Sequence, residues 1–126
     1  MVTAVVAVFL VAHGLVHLAI YLAPKDPAQR VPYDPAHSWA LQALHVAPAP
    51  MHTAGATLSA LVATLYTCAG LALTVDASTA TVVALAAAVT TLALKGLWFN
   101  TWLSLGIALD LGVLWAVTTG WPPSLL

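Results

Sequence analysis

The chain has 126 residues, 62% of them apolar and only 6% charged, with a formal net charge of −1. A soluble domain carries charge on about a quarter of its residues, so this composition excludes an ordinary water-soluble fold and places the chain in lipid. Three scattered cations make no basic patch, which excludes nucleic-acid binding, and a single cysteine, Cys68, excludes an internal disulfide.

Inside a bilayer no water is present to satisfy backbone N–H and C=O groups, so a spanning segment must pair them itself. Runs rich in Ala, Leu and Val do this as helices rather than as the alternating strands of a barrel. Roughly 20 apolar residues cross the hydrocarbon. Four stretches qualify, about 3–22, 52–75, 79–98 and 102–120. The expected fold is therefore all-α, an integral membrane four-helix bundle forming a single transmembrane domain over residues 1–126.

The first run, Thr3 to Leu22, has no Lys or Arg before it and exceeds a signal-peptide core in length, so it reads as a retained span ended by Pro24 and Pro27. From Ala23 to Pro50 the prolines at 24, 27, 32, 35, 48 and 50 exclude regular structure over most of the connection. Within it, Asp34 as N-cap and Pro35 at the first helical position predict a short interfacial helix over about 35–46. Ser38, Gln42 and His45 would form one face of it, with Trp39, Ala40, Ala43 and Leu44 on the membrane side. Asp76-Ala77-Ser78-Thr79 supplies a turn and N-cap before the third span, Phe99-Asn100-Thr101 turns into the fourth, and Trp121-Pro122-Pro123 closes it.

Lys25, Arg30 and Lys95 all fall on the side that holds the first and third connections. The positive-inside rule makes that side cytoplasmic and puts both termini outside, in a multi-pass protein of the inner (cytoplasmic) membrane. Tyr21, Trp98 and Trp102 on one side and Trp121 on the other read as interfacial aromatics.

Ionisable side chains inside hydrocarbon are costly, so each is a functional-site hypothesis. His13 and His17 are four residues apart on one face of the first span, and Asp110 lies mid-way along the fourth. Counting the helical rise from the cytoplasmic ends puts His17 roughly 8 Å deep, Asp110 roughly 13 Å and His13 roughly 15 Å. Thr57 and Ser59 on the second span and Thr90 and Thr91 on the third fall in the same layer, so Ser59 and Thr90 join the candidate ligand- or ion-binding set. Two imidazoles and a carboxylate suit zinc or another transition metal with one position left open, making His13, His17 and Asp110 the candidate metal ligands. The histidine pair lacks the Glu of the metalloprotease motif, so Asp110 would supply any general base. Haem is disfavoured because both deep histidines share one helix. The competing reading is structural: Asp110 pairs with a histidine and simply holds two helices together.

Ala108, Gly112 and Ala116 form a small-residue stripe on the fourth span, suited to close packing within the bundle or to a homodimer or partner subunit. The first-span run Ala12-His13-Gly14-Leu15-Val16-His17-Leu18, the segment Tyr33-Asp34-Pro35-Ala36-His37-Ser38-Trp39 and the run Leu105-Gly106-Ile107-Ala108-Leu109-Asp110 resemble a family of small four-span membrane proteins found in actinobacteria. That resemblance implies the four-span fold and carries no activity with it. In the family the polar residue of the last span is more often Asn, so Asp110 is a departure. A fainter resemblance is to small DoxX-like four-helix membrane proteins, some of which are subunits of quinone-linked oxidoreductases.

Three functions remain open from the residues. The first is a transport-related membrane protein whose His/His/Asp cluster binds an ion, a proton or a small polar ligand. The second is a non-catalytic accessory subunit of a larger membrane complex, and the third a lipid- or quinone-linked membrane enzyme. No nucleophile motif, phosphate loop or complete metal signature supports the third.

Overall fold

The computed structural model describes residues 1–22, 34–75 and 77–120, and Lys25, Arg30, Asp76 and Trp121 lie outside that set. The described chain is all-α, with α1 Val2–Leu22, α2 Trp39–Ala43, α3 Pro48–Ala72, α4 Ala77–Leu97, a 3-10 turn Thr101–Leu103 and α5 Ser104–Thr119. Four of these stretches, 19 to 25 residues long with mean hydropathy of 1.4 to 2.3, are long and apolar enough to cross a membrane.

Two elements differ from expectation by three residues or more at each end, and proline chemistry explains the start of the first. The span expected at 52–75 begins at Pro48, because a proline in the first helical turn lacks an N–H that no helical carbonyl would have bonded anyway. It ends at Ala72, with 73–75 forming a turn.

The second correction is the interfacial helix, which runs only over Trp39–Ala43 instead of 35–46. Asp34 is not its N-cap. Its carboxylate accepts the Ala36 N–H at 2.9 Å and pairs with His37 Nδ1 at 2.9 Å, a local turn that competes with helix initiation. Ser38 caps instead, accepting the Leu41 N–H. The far end closes as a Schellman turn: Val46 N–H bonds Leu41 O, His45 N–H bonds Gln42 O, and His45 takes the left-handed conformation at φ 56°.

This segment is tied to the end of α4, whose last carbonyls have no helical partner. Ser38 Oγ donates to Leu97 O at 2.6 Å, Trp39 Nε1 to Gly96 O at 2.8 Å, and Trp98 Nε1 to Pro35 O at 2.8 Å. Ser38 therefore faces the bundle, and Trp39 is largely exposed. Of the aromatics assigned to the interface, Trp102 is exposed, whereas Tyr21 and Trp98 are core residues, each 1% exposed and packed at Gly55.

Among the described residues, α1 packs broadly on α3, α3 on α4 and α4 on α5. Helices α1 and α3 run antiparallel and touch through glycines. A Cβ at Gly14 would lie 2.7 Å from Tyr66 Cβ, and one at Gly70 would lie 2.8 Å from Ala7 O. In lipid, where apolar surface gains little from burial, such close packing is what joins helices. Helices α1 and α5 instead face each other across a half-open cleft of about 460 Å³, and they meet at its inner end through polar side chains.

Candidate functional site

The site is built on α5, which continues the 3-10 turn capped by Asn100: Asn100 Oδ1 accepts the Trp102 N–H at 2.9 Å, and Ser104 Oγ donates back to Thr101 O at 2.6 Å. One turn apart on this helix, Gly106 and Asp110 share a face. A Cβ at Gly106 would lie 2.5 Å from Lys95 Nζ, so the glycine leaves the volume that the ammonium occupies. Lys95 reaches across from α4 and its Nζ donates to Asp110 Oδ2 at 2.5 Å.

The other carboxylate oxygen is shared. His13 Nε2 on α1 and Tyr66 OH on α3 both donate to Asp110 Oδ1 at 2.8 Å. One side chain from each of the other three spanning helices thus converges on a carboxylate that is 0% exposed. Lys95 is 3% exposed and His13 8%. The ammonium and the carboxylate balance each other, which is the condition for keeping either in a low-dielectric interior.

His17 stands beside this hub without bonding to it. Its Nδ1 donates to the His13 carbonyl oxygen, one turn back, at 2.9 Å. A carbonyl only accepts, so His17 Nδ1 carries the hydrogen and Nε2 keeps a lone pair. By the same logic a carboxylate-bonded His13 Nε2 leaves His13 Nδ1 as the lone-pair nitrogen. The rings pack as a unit: His13 meets Tyr66 edge-on at 4.9 Å and His17 edge-on at 5.1 Å, and Phe9 stacks on His13 at 5.6 Å.

The grouping of His13, His17 and Asp110 expected from the sequence is present, with one potential ligand atom from each lying within 4.8 Å of the others. As a metal site the set is encumbered. Asp110 already holds an ammonium, and a divalent cation would have to displace it or sit beside it.

Ser59 is buried on α3, its hydroxyl donating to Ala56 O at 2.9 Å. In the antiparallel register set by Gly14 against Ala63, Ser59 stands near the level of His17 rather than of Asp110. Thr90 bonds its own helix at Ala86 O and is half-buried. Its neighbour Thr91 is the fully buried threonine, next to Tyr66.

Sequence reasoning missed Lys95 and Tyr66. By the positive-inside rule Lys95 counts among the cations of the cytoplasmic side, but its ammonium lies inside the bundle, paired with Asp110. Gly106 was the available signal, a gap opposite a long side chain. Nothing in the sequence singled out Tyr66, because its approach depends on the α1–α3 contact at Gly14.

Two directions from the hub differ in character. Along α1, His13, His17 and Tyr21 form a buried column at four-residue spacing towards the end that carries the 34–47 segment. Towards the other end lies the apolar cleft, lined by residues such as Val6, Leu10, Ala84 and Val113. These features define a multi-pass α-helical membrane protein organised around a buried ionisable cluster. No protein-family model, curated protein or solved structure matches the chain.

Proposed function

We propose that this membrane protein takes up and releases a proton at the Asp110 cluster as part of a transport-related activity. One observation carries the reading: a carboxylate in the middle of the spans receives His13, Tyr66 and Lys95, with a second imidazole, His17, against the first. Each imidazole has one nitrogen free of hydrogen, so each is a place for an added proton. An imidazolium at His13 competes with Lys95 for Asp110, and the carboxylate shifts its weight from one cation to the other. A proton suits this site better than a metal ion because it adds no volume and needs no displaced ligand.

The His17–Tyr21 side of the bundle is the route of exchange, since the opposite side is apolar cleft. In our reading that side is cytoplasmic and the protein lies in the inner membrane, an orientation that rests on Lys25 and Arg30 now that Lys95 is accounted for.

A purely structural clamp, as an accessory subunit would need, is favoured by the same three bonds to Asp110. His17 separates the two, because it gives Asp110 no hydrogen bond. The test is proton uptake by the full chain in nanodiscs after a pH jump, read with a pH-sensitive dye. Wild type should take up protons that both His17→Phe and Asp110→Asn fail to take up, with His17→Phe remaining folded. Identical uptake by wild type, His17→Phe and Asp110→Asn refutes the proposal and leaves the clamp.

A further inference from the structure

The cleft between α1 and α5 is left unused by the proton-binding reading. It is lined by Val6, Phe9 and Leu10 from α1, Ala80 and Ala84 from α4, and the α5 face from Ala108 to Gly120. The small-residue stripe of α5 opens onto it: a Cβ on Gly112 would meet nothing within 4 Å, so the stripe is not buried against a neighbouring helix of the described chain.

Size, length and position together indicate an occupant. An apolar cavity of roughly 150 Å³ holds one benzene; the cleft's 460 Å³ is about three times that, room for roughly 18 carbon atoms. From Ala108 to Gly120 the α5 wall runs about 18 Å at 1.5 Å per residue, about 60% of the roughly 30 Å hydrocarbon thickness. It opens at the end of the bundle where α1 starts and α5 ends, and reaches inwards to Phe9 and Leu10 on α1 and Ala108 on α5. Its rim, with exposed Trp115 and Leu109, is continuous with the lipid-facing surface of the spans. An unfilled groove there would forfeit the van der Waals contacts of its walls.

We infer that the α1/α4/α5 cleft holds one acyl chain of a membrane phospholipid from the leaflet on the side of the chain termini, with its methyl end against Phe9. Phe9 is both the end wall of the groove and the ring stacked on His13, so chain occupancy fixes the position of an imidazole of the buried cluster.

The test uses the full chain in liposomes of a phosphatidylcholine that carries a photoreactive diazirine near the end of one acyl chain. After illumination, adducts are mapped by peptide mass spectrometry. Adducts should concentrate on Leu10, Ala84 and Val113, which face the groove and are shielded from the outer lipid shell. Gly112→Leu starts its side chain in open space, with nothing within 4 Å of the Cβ, and it should reduce those adducts several-fold while leaving adducts at outward-facing Val8 and Leu105 unchanged. Groove adducts that persist undiminished in Gly112→Leu, or that are absent from wild type, overturn the inference. A wild-type dimer that Gly112→Leu converts to monomer overturns it too, by showing that a second copy fills the groove.

Discussion

Replacing Asp110 with Asn removes one charge and almost nothing else. The Asn oxygen still accepts from His13 Nε2 and Tyr66 OH, but its NH2 group now faces Lys95 Nζ, donor against donor. The ammonium is 3% exposed and has lost its counter-charge. Breaking one half of a buried pair typically costs about 3–5 kcal/mol. Asp110→Asn should therefore destabilise the bundle by about 3–4 kcal/mol. Adding Lys95→Met removes the stranded charge and keeps an apolar chain of similar length in the space at Gly106, so the double variant should recover to within about 1–2 kcal/mol of wild type. Reversible unfolding by SDS titration in mixed micelles measures the three stabilities. If Lys95→Met adds to the damage of Asp110→Asn instead of relieving it, the charge-balance argument fails.

Other consequences follow from close approaches and caps. Gly106→Val puts side-chain volume where Lys95 Nζ now lies and should break the Lys95–Asp110 pair, seen as loss of the coupling between these two residues in a double-mutant cycle. Gly14→Ala brings a methyl to 2.7 Å from Tyr66 Cβ, with Ala63 O at 3.1 Å. Backbone has to move there, and overpacking of this kind should cost about 1–3 kcal/mol in the same SDS titration. Ser38→Ala removes both the α2 cap and the donor to Leu97 O, and should cost about 1–2 kcal/mol, with faster hydrogen exchange at the Leu41 amide as the readout.

The four spans were legible because burial in lipid imposes one requirement, an unbroken apolar helix of sufficient length, and hydropathy reports it directly. The ends were less so. Pro48 and Pro50 look like breakers until their place in the first helical turn is known, and Asp34 looks like an N-cap although its short side chain is bonded to Ala36 and His37. The convergence of His13, His17 and Asp110 followed from depth alone, since unpaired polar groups at one level in hydrocarbon seek each other. Lys95 escaped because a long flexible chain places its charge far from its Cα, and a residue near a helix end can reach outwards or inwards. Tyr66 escaped because aromatic residues are ordinary in an apolar span, and only the Gly14 contact brings its hydroxyl to Asp110. Small residues at Ala108, Gly112 and Ala116 signalled close approach, yet they border an open groove, since the same glycine that admits a helix also leaves a hollow.

The most direct test of the central claim is nitrogen-15 NMR of the full chain in lipid with its histidines isotopically labelled, followed as a function of pH. The account predicts that ring-nitrogen signals assigned to His13 and His17 by the His13→Phe and His17→Phe variants convert between neutral and protonated forms while the protein stays folded. It also predicts that the conversion moves in pH when Asp110 becomes Asn. Ring signals that keep one protonation state over the whole folded range, in wild type and Asp110→Asn alike, would contradict it and leave the carboxylate as a fastener between helices.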